Sequence, residues 1–176
     1  MRWTGVSDPK ERYGPAYWNA RATSRWNESC HGAFGAPVEM AMAHRNLWRG
    51  LAAARVNGQI LTGKMNVLEI GCGYGASYDV VAEFFKTDLH LYVGTDCCVP
   101  YIEEARKRYP DRTWQVAEAL NVEGANFDLV VTCATLTSLE SIWPAVVQKA
   151  FSTWLKPGGI MVVGEQTWHL VLDGAL

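Results

Sequence analysis

Three closely spaced glycines after a short apolar run constrain this chain more than any other feature. The stretch Val67–Ser77 reads Val-Leu-Glu-Ile-Gly-Cys-Gly-Tyr-Gly-Ala-Ser, so Gly71, Gly73 and Gly75 lie between a strand-like and an amphipathic segment. Glycines there allow a sharp bend and let a ligand approach the backbone, near the free N–H groups of the next helix. The pattern predicts a strand, a loop and a helix that bind a nucleotide-like cofactor, although glycines in ordinary turns leave a structural role open.

The chain beyond this point alternates short apolar runs with amphipathic stretches. Strand-like runs occupy residues 66–70, 90–95, 113–117, 127–132 and 159–164, and helix-like stretches occupy 76–85, 100–109 and 141–154. The apolar runs are nearly continuous, as in strands covered on both faces, and their alternation with helices is typical of a parallel sheet. We therefore predict an α/β fold with a doubly wound, mostly parallel sheet.

Residues 1–64 precede this alternation and differ from it. Pro37 opens a predicted helix with apolar residues at helical spacing, and Gly58 can end it. We expect residues 1–64 to form a helical cap on the substrate side and residues 65–176 to form the cofactor-binding core, within one structural domain. Lys and Arg outnumber Asp and Glu nine to four in residues 1–64 but are outnumbered fourteen to seven in residues 65–176, which favours an anionic substrate.

Composition argues against several classes of function. A net charge of -2 is not that of a nucleic-acid coat or a polybasic membrane binder. No apolar run approaches the ~18–20 residues that span a membrane, and the first residues lack a signal-peptide pattern, so we expect a cytoplasmic protein. The five cysteines form no CxxC pair, and we predict neither a disulfide framework nor a metal site.

Five motifs, in the right order, resemble those of the class I S-adenosylmethionine-dependent methyltransferases. Glu69 to Gly75 resembles the first motif of that family, [DE]-x-G-x-G-x-G. The second lies at Val93–Asp96, with Pro100–Arg106 as the helix that follows it, and the other three lie at Gln115–Leu120, Asn126–Thr132 and Trp154–Val163. The last of these contains Leu-Lys-Pro-Gly-Gly before apolar residues. The resemblance covers residues 65–166. It implies a Rossmann-like methyltransferase fold with S-adenosylmethionine as cofactor and S-adenosylhomocysteine as product.

The resemblance also implies which residues hold the cofactor. Asp96 would accept hydrogen bonds from both ribose hydroxyls, Glu118 would recognise the adenine edge, and Glu69 would lie near the methionine amino group. Tyr17 and Arg21 belong to a Tyr-Trp-x-x-Arg segment that resembles one over the methionine end in some small-molecule methyltransferases. The whole predicted set is Tyr17, Arg21, Glu69, Gly71, Cys72, Gly73, Gly75, Asp96, Cys97, Glu118, Ala119 and Thr132. Structural alternatives stay open: Asp96 could cap a helix, Glu118 could be solvated, and Tyr17 could simply pack.

The sequence departs from the family pattern in two places. Thr132–Ser138 replaces the Asp/Asn-Pro-Pro-aromatic sequence of members that methylate base amino groups, and it contains no histidine, so nucleic acid is an unlikely acceptor and no catalytic residue is predicted. Residues 166–176 are too few for the usual C-terminal hairpin of strands six and seven, so we expect a C-terminally truncated sheet. Either residues 169–172 add one short strand, or the fifth strand is an exposed edge for a second copy or a partner protein.

These observations predict a methyltransferase that acts on a small-molecule acceptor. Two alternatives remain. An S-adenosylmethionine-binding protein without methyl transfer would show the same motifs, because they describe cofactor binding only. A nicotinamide-dependent oxidoreductase is the other, since Gly71-x-Gly73-x-x-Ala76 also fits the G-x-G-x-x-G/A pattern.

Overall fold

The computed structural model describes residues 15–23, 37–56, 63–135, 139, 141–165 and 169–173. In chain order its elements are α1 Pro15–Thr23, α2 Pro37–Val56, β1 Met65–Ile70, α3 Tyr78–Phe85, β2 Leu89–Asp96, α4 Val99–Arg108, β3 Thr113–Val116, β4 Phe127–Cys133, α5 Trp143–Lys149, β5 Leu155–Gly164 and β6 His169–Asp173. Short 3-10 turns lie at Lys86–Asp88 and Ala119–Asn121, and a π-helical turn follows α5 at Ala150–Trp154.

The strands form one sheet in the order β3-β2-β1-β4-β5-β6. Strands β1 to β5 are parallel, and Ile70 at the end of β1 lies opposite Thr95 near the end of β2. The order along the chain reverses between β1 and β4, and ligands of open α/β sheets bind outside the carboxyl ends of the strands at such a switch point. The predicted doubly wound, mostly parallel sheet is confirmed.

The last strand corrects the prediction about the sheet edge. β6 pairs antiparallel with β5, with His169 opposite Gly164. The predicted exposed edge at the fifth strand is therefore wrong, and the alternative of one short added strand is confirmed. Val171 and Leu172 explain why the segment pairs, because they pack against the two opposite core layers of the sheet.

Alternating side chains of the strands supply two core layers. Val67 faces the layer that contains α2 and α3, whereas Leu68 and Ile70 face the layer that contains α5. This alternation follows from the two-residue period of a strand, and burial on both faces explains the nearly continuous apolar runs.

Helix α2 belongs to the first of these layers. Its residues Leu47, Leu51 and Ala54 are fully buried, and Leu47 lies so close to β5 that a Cβ atom on Gly164 would be 2.8 Å from its backbone nitrogen. The helix predicted from Pro37 is confirmed, although Trp48 of the predicted apolar face remains 39% exposed against Phe84. Within the described residues, none of the helices is long and apolar enough to span a membrane.

Candidate functional site

A cleft lies at the carboxyl ends of β1, β2 and β4. Four residues of the predicted set line it: Gly71, Asp96, Cys97 and Ala119. Among the described residues of the lining, Asp96 is the only acidic one, and the rest are largely apolar. A mostly apolar cleft with few polar groups at a switch point is typical of a site for a small organic ligand.

The glycine loop turns over the end of β2 and leaves space above itself. The N–H groups of Gly71 and Cys72 both donate to the Thr95 carbonyl, at 2.8 and 3.0 Å. Gly71 has a φ of 73° and Gly73 a φ of 54°, in the left-handed region that favours glycine. A Cβ on Gly71 would lie 2.2 Å from the Thr135 methyl, whereas a Cβ on Gly73 would meet nothing within 4 Å. The loop is thus packed at Gly71 and open at Gly73.

The Asp96 carboxylate is fixed by backbone groups on both of its oxygens. The Gly73 N–H donates to Oδ2 at 2.9 Å, and the Cys98 N–H donates to Oδ1 at 2.8 Å. Burial raises the pKa of Asp96, while the hydrogen bonds from Cys98 and Gly73 act in the opposite direction. Each carboxylate oxygen can accept a second bond, so the pair can also receive two hydroxyl groups from the cleft. The bond from Cys98 lies at the start of α4, as expected if Asp96 caps that helix. This capping role is compatible with ligand binding.

Glu69 lies beneath the glycine loop and does not line the cleft. Its side chain is fully buried and accepts hydrogen bonds from the hydroxyls of Ser77 and Tyr92. Burial raises the pKa of Glu69 to about 8, the bond from Ser77 opposes this, and the charge of Asp96 adds to it. Glu69 is therefore protonated at neutral pH and supports the start of α3. Its predicted place near the methionine amino group remains a prediction.

Several other predicted residues also lie away from the cleft lining. Cys72 and Gly75 are buried, the latter beneath the Trp114 ring, and Glu118 is exposed just before the Ala119–Asn121 turn. Thr132 is fully buried, and its hydroxyl has no hydrogen-bond partner in the part of the chain that the structure describes. Gly73 acts through its bond to Asp96. Direct cofactor contacts by these residues stay predictions.

Helix α1 places Trp18 at the cleft, and not Tyr17, the aromatic residue that was predicted there. Trp18 lines the cleft, whereas Tyr17 packs edge-on against Trp18 with ring centroids 5.0 Å apart. The backbone of Arg21 lies in α1, but its side chain falls outside the described part of the chain. The sequence analysis included Trp18 only as part of the Tyr-Trp-x-x-Arg segment and assigned it no role.

Sequence reasoning missed further lining residues. They are Trp18, Ile70, Thr95, Tyr101, Ala117, Thr135 and Leu139. Ile70 and Thr95 lie at or next to the carboxyl ends of their strands, a position that could have identified them. Thr135 owes its place to longer-range bonds: its N–H donates to the Glu165 carboxylate at 3.1 Å, and its hydroxyl donates to the Gly71 carbonyl at 3.1 Å.

The thiols near the cleft are not activated. Burial raises the pKa of Cys97 to about 12, and it raises the pKa of Cys133 well above its usual value. Both side chains stay protonated at neutral pH, so neither serves as a thiolate nucleophile. Among the described residues, no three His, Cys, Asp or Glu side chains come together as a metal site.

Comparison with known proteins supports this interpretation of the cleft. A family model described as a methyltransferase domain matches residues 68–163. The chain belongs to this methyltransferase family. The predicted methyltransferase family is thereby confirmed. The family match argues against the nicotinamide alternative.

Two curated relatives of this methyltransferase domain are much longer proteins. The chain is 30% identical to fumosorinone synthetase of Cordyceps fumosorosea, over 59% of this chain and 3% of that protein. It is 25% identical to the non-reducing polyketide synthase atr1 of Stereocaulon alpinum, over 66% of this chain and 5% of that protein. The chain therefore spans only a small part of these relatives.

A solved methyltransferase structure shares the fold. Magnesium protoporphyrin IX methyltransferase from Synechocystis PCC 6803, determined with bound S-adenosylmethionine, superposes with a TM-score of 0.63 at 14% identity. The likeness covers 92% of this chain and 77% of that one. At this identity it shows the common Rossmann-like fold.

Proposed function

We propose that this chain transfers a methyl group from S-adenosylmethionine to a small-molecule acceptor. The observation that carries the proposal is Asp96, which presents a carboxylate to the cleft while Gly73 and Cys98 hold both of its oxygens. Hydroxyl groups of a ribose diol would donate to that carboxylate, and such charge-assisted bonds are the stronger kind.

The other cleft residues fit the remaining parts of the cofactor. Ile70, Ala117, Ala119 and Leu139 offer apolar sides for an adenine ring. The open space above Gly73 gives the backbone of the glycine loop direct access to a ligand. The donor set and the cleft therefore suit a nucleoside with a short polar tail.

The chain would contribute mainly by position. The cofactor supplies a methyl group on a sulfonium; the acceptor forms the new bond to this carbon, and the electron pair of the broken C–S bond returns to sulfur. Holding the two reactants in line accounts for most of the rate in such a transfer, and a base is needed only for an acidic N–H or O–H acceptor. Trp18 and Tyr101, both nearly buried, would keep water from one side of the cleft.

A small-molecule acceptor is supported by the relatives. One matched protein is a polyketide synthase and another acts, by its name, on magnesium protoporphyrin IX. The excess of Lys and Arg in residues 1–64 supports an anionic acceptor, which that segment would meet on the substrate side.

Calorimetric titration with S-adenosylmethionine, S-adenosylhomocysteine and NADH tests the cofactor. We expect binding of the two sulfur compounds only. Asp96→Ala should weaken it by roughly 1–3 kcal/mol through loss of the charge-assisted bonds, whereas Asp111→Ala, at an exposed turn after α4, should leave it unchanged. Equal affinities of the Asp96 variant and the wild type would remove Asp96 from the site.

A second variant separates binding from folding. Gly73→Asn places a side chain in the open space above the loop, and asparagine tolerates the left-handed region better than most residues. We expect it to fold and to lose cofactor binding; normal binding would make the glycine loop purely structural.

Methyl transfer itself is tested by the release of S-adenosylhomocysteine with a panel of small carboxylated and β-keto acceptors. Turnover with any of them supports the proposed activity. Cofactor binding without release on the whole panel would favour the alternative of a binding protein without methyl transfer.

The sheet edge gives a proposal about partners. β6 is the edge strand beyond β5, and unpaired strand edges tend to pair or to be covered. We therefore expect a second copy or a partner protein along β6. Light scattering of the isolated chain at tens of micromolar tests self-association; a monomer would leave only the partner protein.

A further inference from the structure

We propose that Asn19 is a positioning residue: it clamps helix α1 onto the start of helix α4 and thereby holds Trp18 in the wall of the cofactor cleft. This inference rests on the proposed function, because the cleft is taken to be the cofactor site. Neither the family motifs nor the sequence interpretation assigned a role to Asn19.

The start of α4 depends on α1 for its cap. Cys98 is the N-cap residue, and its own side chain makes no capping hydrogen bond. The N–H groups in the first turn of a helix have no partner within the helix. That of Val99 donates to Asn19 Oδ1 at 3.0 Å. Asparagine is among the best capping residues, and here it caps a helix 80 positions further along the chain.

The side chain of Asn19 is also oriented from its other end. Its Nδ2 donates to the Pro15 carbonyl at 2.8 Å, within the first turn of α1. The amide therefore bridges two helices, with the donor directed to α1 and the acceptor to α4. Such a bridge fixes both the position of α1 and its rotation about its own axis.

The neighbouring residue shows what this orientation achieves. Trp18 is only 7% exposed and packs with Cys98 and Tyr101 of the α4 region. The Cys98 thiol donates to the Trp18 carbonyl at 3.5 Å, and the rings of Trp18 and Tyr101 both line the cleft. A rotation of α1 that broke the Asn19 bond would therefore withdraw Trp18 from the cleft.

The same turn of backbone connects α1 with the carboxylate of the site. Asp96 accepts the Cys98 N–H, and the very next N–H, that of Val99, donates to Asn19. A ligand held by Asp96 and the docked α1 thus share one anchoring segment. Docking of α1 should slow release of the cofactor, because Trp18 must leave the wall before the cleft opens on that side.

The test compares the wild type with Asn19→Ala, Asn19→Asp and the control Gln148→Ala, an exposed amide on α5. Stopped-flow tryptophan fluorescence measures the dissociation rate of S-adenosylhomocysteine. Asn19→Ala should release it about three- to tenfold faster, the effect of losing one hydrogen bond. Asn19→Asp should stay near the wild type, because a carboxylate accepts the same N–H and is favoured at a helix N-terminus. The control should not differ from the wild type.

Two further readouts separate a positioning role from a general loss of stability. The unfolding midpoint of the ligand-free protein should fall in Asn19→Ala only by the small amount that the loss of one exposed helix cap causes, so that the variant stays folded in the binding assay. Hydrogen exchange at the Val99 amide should accelerate in Asn19→Ala and not in the control. A dissociation rate equal to that of the wild type, or an Asp variant as fast as the Ala variant, would overturn the clamp.

Failure of the clamp and failure of the proposed function have different signatures. If the wild type binds no S-adenosylhomocysteine, the proposed function fails, and the exchange of the Val99 amide still decides whether Asn19 holds α1. If the wild type binds it and Asn19→Ala changes neither release nor exchange, only the clamp is refuted.

Discussion

The wild-type protein should lose stability as the pH rises from 5 to 7.5. Replacing Glu69 by glutamine should remove much of this loss. Burial raises the pKa of Glu69 from 4.5 to about 8. Between these values the unfolded carboxyl ionises while the folded one keeps its proton, so the folded state binds more protons and the free energy of unfolding falls with increasing pH. Below pH 4.5 both states are protonated, and the effect vanishes.

The structure indicates the size of this effect. A pKa shift from 4.5 to about 8 corresponds to roughly 5 kcal/mol at about 1.36 kcal/mol per unit, of which roughly 3 kcal/mol falls between pH 5 and 7.5. Glutamine has no such proton to lose, and its amide can still bond with the Ser77 and Tyr92 hydroxyls, which donate or accept as needed. The raised pKa of Asp96 adds a slope of the same sign, and it does so in both proteins.

Urea unfolding at pH 5, 6.5 and 7.5 measures the difference between wild type and Glu69→Gln. From pH 5 to 7.5, the free energy of unfolding of the variant should rise by roughly 3 kcal/mol relative to that of the wild type. Glu103→Gln, an exposed carboxyl on α4, serves as the control and should run parallel to the wild type. Parallel curves for Glu69→Gln as well would refute the argument that burial keeps Glu69 protonated.

Three stability predictions follow from other contacts, each measured by the free energy of unfolding. Thr132→Val should be neutral or stabilise by about 1 kcal/mol, because it removes a buried hydroxyl that bonds to none of the described residues; a clear loss would reveal a bond. Gly164→Ala should cost roughly 1–3 kcal/mol, because its Cβ would lie 2.8 Å from the Leu47 backbone; wild-type stability would mean that α2 can shift freely. Asp128→Ala should cost about 1–3 kcal/mol, because the nearly buried carboxylate pairs with Lys156 and accepts the Asn66 N–H at 2.9 Å; no change would show that water replaces both.

Much of the fold could be predicted because local patterns determine it. The run predicted at residues 90–95 became β2 at Leu89–Asp96, and the helix predicted at 100–109 became α4 at Val99–Arg108. The helix predicted at 141–154 ends as an α-helix at Lys149, and a π turn then carries the chain to Trp154. Trp154 is fully buried and donates its indole N–H to the Val122 carbonyl, a contact 32 positions away that no local pattern encodes.

The site was predictable where it depends on strand ends. Four predicted residues line the cleft because they lie at or beyond strand ends. Gly71 follows β1, Asp96 ends β2, Cys97 comes directly after it, and Ala119 lies just beyond β3. Trp18 reaches the cleft only through the contact between α1 and α4, which arises from packing between distant segments. No spacing or composition near Trp18 indicates that contact.

The layer in which Glu69 lies could have been predicted from the two-residue period of its strand. Successive side chains of a strand point to opposite faces, so Glu69 and Ile70 cannot both face the same side. Ile70 lines the cleft, and Glu69 accordingly lies in the other layer beneath the loop. The period of the strand therefore decides which residues of the motif can face a ligand.

The two acidic residues of the site therefore have opposite tasks. Asp96 ends β2 at the cleft, where backbone N–H groups oppose the effect of burial on its pKa and favour the charged form. Glu69 lies deeper, where burial and the charge of Asp96 both raise its pKa and favour the neutral form. A charged Glu69 would repel Asp96, and the cleft lining supplies no compensating cation from the described residues. Because burial favours the neutral form of Glu69, a negative charge at the loop would lie on Asp96 at the ligand side, where a ribose diol or a sulfonium would meet it.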